Sequence, residues 1–366
     1  MKPLNLLLQP WKIIETDFIP QYQHHYETIF THGNGYLSSR GSFEERYPAD
    51  QQATLIHGMW DDAPIVFSEL VNAPDWTALE IWINGKTFQL DQGFIHQYKR
   101  YIDLRSGLIH REVTWSYNKS NPIVKIVFQR FASLNDQHIL ASLITITPIK
   151  SAIKVRVRCS LNSQVENNGL LHWDILEQES TTESINLVVQ TRNTFKTLAM
   201  SSRFAVSNQN TIISKCDCLG HPGIEFSKQI SESESLTIEK FIGIATSRDT
   251  DHPLYLAENK SMSASRSGYH HLQNDNTQAW NKFWDMSDIL IEGDEEAQTA
   301  IRHAIFQLRI AAPTTDEKVS IGAKTLSGFG YRGHVFWDTE IFILPFFTIT
   351  QPDLSRNMLL YRWHAL

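Results

Sequence analysis

The stretch LEIWINGKTFQL, residues 79–90, contains the clearest folding signal in this 366-residue sequence. Asn84 and Gly85 form the preferred pair for a two-residue type I′ turn, which joins antiparallel strands. Pairing the residues on either side of that turn places the apolar side chains on one face: Leu79, Ile81, Phe88 and Leu90. The turn and the apolar pattern agree on one register, so we predict a β-hairpin.

Similar strand patterns occur along the chain on both sides of this hairpin. The segments with β alternation or strand-like composition are 123–131, 139–147, 153–159 and 236–246. In 153–159, four apolar residues alternate with three basic ones, which is typical of a strand with one buried face. Turn signals such as His221-Pro222-Gly223 separate the segments. Many strands without intervening helices predict a large antiparallel β-sandwich up to about residue 268.

The pattern changes to helical spacing near residue 270. Residues 295–312 carry one apolar stripe at helical spacing, with Asp294 as a candidate N-cap and Pro313 as the end. A loop then extends to about residue 337, and two further helices are predicted to start near Asp338 and Asp353. The sequence therefore predicts a mixed fold with strands first and helices last.

Composition excludes several classes of protein. The formal net charge is −7 and no basic stripe is present, which argues against nucleic-acid binding. Three cysteines are too few for a disulfide framework, and Cys216-x-Cys218 is interpreted as reduced thiols, with no metal. The N-terminus lacks a secretory core and no window has the length of a membrane span. We expect a soluble, cytoplasmic protein without a membrane partner.

Residues 328–333, GFGYRG, match the dinucleotide-binding pattern G-x-G-x-x-G. That pattern has meaning only between a strand and a helix of a βαβ unit. Here a helix and a polar loop precede it, so we reject a dinucleotide site. The glycines are expected to let the backbone pack closely beneath a pocket.

Trp337 and Asp338 allow two interpretations. An indole can cover the apolar face of a sugar ring while a neighbouring carboxylate accepts hydrogen bonds from its hydroxyls. Arg332 and His334 would then steer an anion or brace the carboxylate. Alternatively, the tryptophan is buried and Asp338 caps the following helix; spacing alone favours this second interpretation. Glu340 points away from Asp338 on a helix, so the two are not a pair of catalytic carboxylates.

Residues 32–46, HGNGYLSSRGSFEER, form the other dense stretch. Glycines around Asn34 predict a tight turn leading into a strand. Arg40 is expected to form ion pairs with Glu44 and Glu45. On physical grounds alone we assign this stretch no chemistry.

Four blocks of this sequence together resemble glycoside hydrolase family 65, the maltose, kojibiose and trehalose phosphorylases. The first two, GNGYLSSRGSFEE and ELVNAPDWTALEIWINGKTFQLD, resemble the family's N-terminal part. The other two, SDILIEGDEEAQTAIRHAIFQL and SIGAKTLSGFGYRGHVFWDTEIFILPFF, resemble the entry into its catalytic barrel. The blocks keep the family's order from about residue 13 to the end of the chain. One departure is Phe329, where the family usually has glutamate between two glycines.

The resemblance implies three parts of the chain. These are an N-terminal β-sandwich over 1–268, a helical linker over 269–294, and the first helices of a truncated (α/α)6 catalytic barrel over 295–366. Helices built for a closed barrel would expose apolar side chains in this chain: Ile341, Phe342, Leu344, Phe346 and Phe347.

The resemblance also implies a function. Trp337 and Asp338 match the pair that holds the non-reducing glucose of the substrate, which reverses the preference drawn from spacing. Arg332 and His334 lie in the same block and would line or support the pocket. The implied reaction is inverting phosphorolysis of an α-glucosyl disaccharide, with inorganic phosphate as co-substrate and β-glucose 1-phosphate as product. No metal or organic cofactor is implied, and a homodimer is expected.

In the family, the general-acid glutamate lies well downstream of the segment that corresponds to Phe336-Trp337-Asp338. The resemblance therefore puts it beyond Leu366, and we assign no catalytic residue within this chain, which alone is expected to be inactive. Two alternatives stay open. One is a non-catalytic sandwich remnant that serves sugar binding or oligomerisation, and the other is a trehalose hydrolase of the same family.

Overall fold

The computed structural model describes residues 5–64, 67–119, 121–207, 210–232 and 234–366. Its strands are β1 Leu6–Gln9, β2 Lys12–Glu15, β3 His32–Gly33, β4 Leu37–Ser39, β5 Thr54–Ala63, β6 Phe67–Asn72, β7 Leu79–Ile83, β8 Lys86–Thr87, β9 Phe94–Asp103, β10 Leu108–Ser116, β11 Val124–Ala132, β12 Ile139–Pro148, β13 Ile153–Ser160, β14 Trp173–Ser180, β15 Ser184–Thr191, β16 Thr197–Ser207, β17 Ile212–Cys218, β18 His221–Ile230 and β19 Leu236–Thr246. Its α-helices are α1 Gln23–Ile29, α2 Pro253–Ser267, α3 Tyr269–Ser287, α4 Glu295–Ala311, α5 Leu344–Thr350 and α6 Pro352–Ala365. Short 3₁₀ turns at Pro20–Tyr22 and Gly330–Gly333 and a π-helical turn at Thr339–Ile343 complete the elements.

The described strands form large antiparallel sheets. A ten-stranded sheet has the order β1-β2-β9-β10-β11-β12-β19-β16-β15-β14, a five-stranded sheet the order β17-β18-β13-β7-β8, and a four-stranded sheet the order β3-β4-β5-β6. One hydrophobic core contains side chains of all three, including Val113, Ile126, Ile238, Ile81, Val157 and Ile56. Packing of inner faces against a common core is how stacked sheets bury their apolar sides. The prediction of a mixed fold with large antiparallel sheets is confirmed.

The predicted hairpin is present in the predicted register. Ile83 pairs with Lys86, and both turn residues have positive φ, 50° at Asn84 and 81° at Gly85, as a type I′ turn requires. The four apolar residues that the register placed on one face are all buried: Leu79, Ile81, Phe88 and Leu90. Strand β13 confirms its alternation too, because its apolar residues are buried and its basic ones are not.

Two helices occur where the sequence predicted only strands, α1 and the longer α2. Helix α2 lies on the ten-stranded sheet so closely that a Cβ on Gly243 would stand 1.9 Å from the carbonyl oxygen of Ala257. The Ser261 hydroxyl also donates to the Ser201 hydroxyl, 3.0 Å away. The buried face of α2 therefore consists of small residues, including Ala264, rather than an apolar stripe. Such a helix gives no clear apolar period, which explains why the sequence prediction missed it.

Helix α4 is confirmed together with its cap, because the Asp294 carboxylate accepts a hydrogen bond of 2.9 Å from the Ala297 amide. The last carbonyls of a helix have no partner within the helix itself. In α4 the β region supplies partners. The Gly35 amide and the Ser38 hydroxyl donate to the Ile310 carbonyl, and His57 Nε2 donates to the Ala311 carbonyl at 2.8 Å. These bonds fix the start of the following loop, which leads to the predicted site, against strands β3 to β5.

Candidate functional site

The loop before Trp337 has an unusual backbone. Tyr331, Arg332 and Gly333 have φ angles of 54°, 55° and 82° in succession. A left-handed conformation costs a residue other than glycine about 1–2 kcal/mol. Two such residues in a row need stabilising contacts from outside the loop.

Strand β6 provides those contacts. The Arg332 guanidinium donates to Glu69 Oε2 at 3.2 Å, and His334 Nε2 donates to the Ser68 carbonyl at 3.0 Å. Gly333 lies so close to the strand that a Cβ there would stand 2.7 Å from the Leu70 Cβ. Arg332 and His334 therefore fix the loop to the β region by their side chains.

Trp337 and Asp338 both face solvent. The Trp337 side chain is 67 % exposed. Asp338 precedes the π-helical turn but its carboxylate caps no amide there, and it makes no hydrogen bond or ion pair within the described part of the chain. Glu340, by contrast, is paired with Arg362 at 2.9 Å. The interpretation as a buried tryptophan beside a capping aspartate is thus wrong, because the indole is exposed and the carboxylate of the following residue has no partner among the described residues.

The helices that follow this pair carry several exposed large apolar side chains. These are Ile341, Phe342, Ile349, Leu359 and Trp363. The sequence expectation of exposed apolar side chains is correct for the first two and wrong for Phe347, which is fully buried in a core with Leu326, Leu354 and Met358. Leu344 and Phe346 are half-buried against the same core.

A cavity of about 320 Å³ lies between the β5–β6 hairpin and the loop after α4. Its polar and aromatic lining includes His57, Trp60, Lys318, Ser320 and His334. The Ser320 hydroxyl is buried and has no hydrogen-bond partner among the described residues. Trp337 and Asp338 do not line this cavity.

His57 makes the stability of this region depend on pH. Burial lowers its pKa from 6.5 to about 4. The unfolded chain takes up a proton below about pH 6.5, whereas folded His57 stays neutral until about pH 4, so stability falls as pH falls through this window. At about 1.4 kcal/mol per pKa unit, the loss by pH 4.5 is about 2–3 kcal/mol.

We therefore expect His57→Gln to remove that part of the acid sensitivity. Glutamine keeps an N–H donor for the Ala311 carbonyl but takes up no proton. Urea unfolding at about pH 7.5 and pH 4.5 measures the difference between the two proteins. Equal losses of stability in the variant and the unsubstituted protein would contradict this assignment.

The dense stretch 32–46 lies over buried arginines whose contact with it no local sequence signal predicts. Arg111 donates to Glu45 Oε1 at 2.6 Å and to Glu44 Oε2 at 2.8 Å. Arg130 donates to Glu44 Oε1 at 2.6 Å and to the Ser42 carbonyl at 2.7 Å. Burial alone would raise the pKa of Glu44, but Arg130 and Arg111 outweigh it and hold the pKa below its ordinary value.

The predicted ion pairs of Arg40 with Glu44 and Glu45 are wrong. Arg40 pairs instead with the buried Glu27 of α1, at 3.2 Å. A helix that the sequence analysis missed thus supplies the partner, while the two glutamates are taken by arginines of β10 and β11. The sequence around Arg111 and Arg130 identifies them only as strand residues. Which side chains they meet depends on the pairing of strands that are far apart in the sequence.

Other kinds of site are not indicated. No group of three or more His, Cys, Asp or Glu side chains is arranged to hold a metal ion among the described residues. None of the helices that the structure describes is both long and apolar enough to span a bilayer.

Two profiles of known protein families match this chain. The profile of the glycosyl hydrolase family 65 N-terminal domain matches residues 13–283, and that of the family's central catalytic domain matches residues 302–366. The Trp337–Asp338 pair lies within the second match. The chain therefore belongs to glycosyl hydrolase family 65, whose curated relatives are enzymes.

Three individual proteins show how similar this chain is to its relatives. The kojibiose phosphorylase of Halothermothrix orenii is 35% identical over 97% of this chain and 47% of its own length. The α,α-trehalose phosphorylase of Thermoanaerobacter brockii is 29% identical over 98% of this chain and 50% of its own length. A solved structure of a candidate kojibiose phosphorylase from the human microbiome superposes with a TM-score of 0.90 at 25% identity, covering 99% of this chain and 49% of that one. The chain spans about half the length of the curated relatives it matches.

Proposed function

We propose that this chain is the N-terminal portion of an inverting disaccharide phosphorylase. Its substrates would be an α-glucosyl disaccharide and inorganic phosphate, and its products β-glucose 1-phosphate and a free sugar. The similar proteins named above include kojibiose and trehalose phosphorylases. Membership of the family supports the reaction class, while the particular disaccharide stays undefined.

The observation that carries this proposal is the exposed Trp337–Asp338 pair. An aromatic face and a free carboxylate are the two groups that a glucose ring needs, one for its apolar C–H face and one for its hydroxyls. Asp338 has no competing partner among the described residues, so a ligand displaces no protein contact. We therefore assign this pair to the non-reducing glucose, with Arg332 and His334 as supports of the loop.

The proposed chemistry needs groups that we do not assign within these 366 residues. A glutamic acid protonates the glycosidic oxygen, and phosphate attacks the anomeric carbon from the opposite face. Basic or hydroxyl groups hold the phosphate dianion. We propose that the acid and the phosphate site belong to the part of the family's length that this chain does not span. The 366-residue chain alone would then bind sugar without turnover.

The remaining proposals concern organisation. We assign 1–268 to a β-sandwich domain, 269–294 to a helical linker and 295–366 to the first helices of an (α/α)6 barrel. The exposed apolar side chains of this part, such as Phe342 and Ile349, support the barrel, since further helices would cover them. We also propose a cytoplasmic homodimer that uses no metal or organic cofactor.

Sugar binding by the 366-residue chain tests the site. Saturation-transfer NMR with glucose and with β-glucose 1-phosphate is expected to show weak binding, with dissociation constants on the order of 1 mM, about −4 kcal/mol. Trp337→Ala is expected to abolish the signal.

Trp363→Ala is the matched control, because Trp363 is 71 % exposed on α6 and Trp337 is 67 % exposed. Loss of the signal in both variants would point to unspecific contact with exposed indoles. Absence of binding to the unsubstituted chain would count against the assignment of Trp337 and Asp338.

A further inference from the structure

A chain of polar groups, buried except for Arg332, connects the β region to the loop before Trp337. His172 Nδ1 lies 2.8 Å from Asp61 Oδ2, and its Nε2 lies 2.9 Å from Glu69 Oε1. The other Glu69 oxygen, Oε2, accepts the 3.2 Å hydrogen bond from Arg332. We call Asp61, His172, Glu69 and Arg332 the carboxylate–imidazole relay.

The far end of this relay is fixed by backbone. Asp61 Oδ1 accepts hydrogen bonds from the amides of Asn193 at 3.0 Å and Thr194 at 2.9 Å, in the turn between β15 and β16. Those two bonds leave Oδ2 directed at the imidazole. Asp61 lies on β5 and is fully buried. The position of His172 is therefore set by the β5–β6 hairpin and, through Asp61, by the β15–β16 turn, which lies 132 positions from Asp61 at Asn193.

The imidazole of His172 joins the two carboxylates of the relay. A carboxylate only accepts, so a ring nitrogen that carries a proton donates to the oxygen it faces. Asp61, His172 and Glu69 are buried, whereas the Arg332 side chain is 39 % exposed. A buried carboxylate needs hydrogen bonds or a cation beside it, and Glu69 has the imidazole on one oxygen and the guanidinium on the other.

Glu69 joins His172 to Arg332 in the relay. One carboxylate oxygen is bonded to His172 and the other to Arg332, so the imidazole orients the carboxylate that holds the loop. Arg332 itself has a left-handed backbone that is costly unless its surroundings stabilise it. Loss of the imidazole leaves Glu69 free to rotate and weakens the contact that stabilises this backbone.

We propose that His172 is a positioning residue for the glucose site. Through Glu69 and Arg332 it holds the loop that presents Trp337 and Asp338, although it touches neither of them. The assignment of glucose as the ligand rests on the proposed function, whereas the contact of His172 with the loop through Glu69 and Arg332 does not.

Hydrogen exchange on the 366-residue chain tests the link directly. His172→Gln is expected to raise amide exchange in residues 328–338 by about tenfold or more, while β11 and β12 keep their protection. Gln retains polarity but reaches only one carboxylate. His271→Gln, on the exposed surface of α3, is the matched control and is expected to leave the loop unchanged.

A double-mutant cycle separates positioning from a general loss of stability. Arg332→Met cuts the last link of the relay without a change in the buried part. If His172 acts through Arg332, the two substitutions together raise loop exchange no more than the larger single effect. Additive effects, or a loop that exchanges normally in His172→Gln, would overturn the proposal. Arg332→Lys is expected to restore part of the protection that Arg332→Met removes.

If His172→Gln does not fold, Glu69→Gln provides the same test. This substitution keeps the side-chain volume and removes the carboxylate that joins His172 to Arg332. Glucose titration then separates the two proposals. His172→Gln is expected to weaken glucose binding about tenfold, and unchanged affinity with a loosened loop would overturn the positioning role. If the unsubstituted chain binds no glucose, the proposed function fails, and loop exchange alone decides whether the relay holds the loop.

Discussion

Replacing Arg111 by methionine is expected to lower the free energy of unfolding by about 3–5 kcal/mol, the usual cost of removing one partner from a buried ion pair. Arg111 is buried beneath the dense stretch 32–46 and contacts both Glu44 and Glu45. Burial would lower the pKa of Arg111, but the two carboxylates raise it above its ordinary value. The guanidinium also stacks on the Phe128 ring, 4.0 Å from its centroid.

The size of this effect comes from what remains after the substitution. Methionine fills the space over Phe128 but leaves Glu45 without a cation, and burial already raises the pKa of Glu45. Denaturant unfolding measures the loss. Arg192→Met, which breaks an ion pair with Asp174 at the surface, is the control and is expected to cost less than about 1 kcal/mol.

Adding Glu45→Gln to Arg111→Met is expected to recover part of the lost stability, because the unpaired charge is removed with its partner. A single Arg111→Met variant within about 1 kcal/mol of the unsubstituted protein would contradict a structural role for this cluster. The ion pairs of the dense stretch 32–46 would then need another explanation than the anchoring of this stretch to the ten-stranded sheet.

In the phosphorylase that we propose contains this chain, Asp338→Asn is expected to lower kcat/KM about 100-fold or more. A hydrogen bond to a charged group contributes about 1.5–3 kcal/mol, and two sugar hydroxyls on one carboxylate therefore account for a loss of this size. The amide keeps the shape of the side chain but loses its charge and one acceptor. Since the Asp338 carboxylate has no partner among the described residues, we expect the melting temperature to stay unchanged.

Asp353→Asn provides the control for Asp338→Asn. Asp353 is an exposed carboxylate in the first turn of α6, so both substitutions remove one surface charge near a helix start. Steady-state kinetics with the control are expected to match those of the unsubstituted enzyme. Equal kinetics for Asp338→Asn would exclude this carboxylate from the glucose site.

Local signals predicted the elements that have strong patterns. The Asn84-Gly85 turn set its own register, and Asp294 capped α4 as expected, because both depend on residues within a few positions of each other. Helix α2 was missed since its buried face is made of small residues that carry no apolar period. Packing on the sheet, rather than local sequence, determines that helix.

The candidate site was only partly predictable, because some of its properties depend on residues that are far apart in the sequence. Trp337 and Asp338 are adjacent in the sequence, so a pair of an indole and a carboxylate is visible there. The exposure of both side chains is a property of the folded loop. His172 and Glu69 are separated by 103 positions and meet only through the fold, so no spacing rule identifies them.

The proposed function is tested by phosphorolysis assays on the full-length protein that we propose contains this chain. Kojibiose, trehalose, maltose and nigerose are each incubated with and without inorganic phosphate, and the products are followed by ¹H and ³¹P NMR. We expect one of these sugars to be cleaved only when phosphate is present, with β-glucose 1-phosphate as the first product. Release of glucose without phosphate, formation of the α anomer, or no cleavage of any of the four sugars would contradict it.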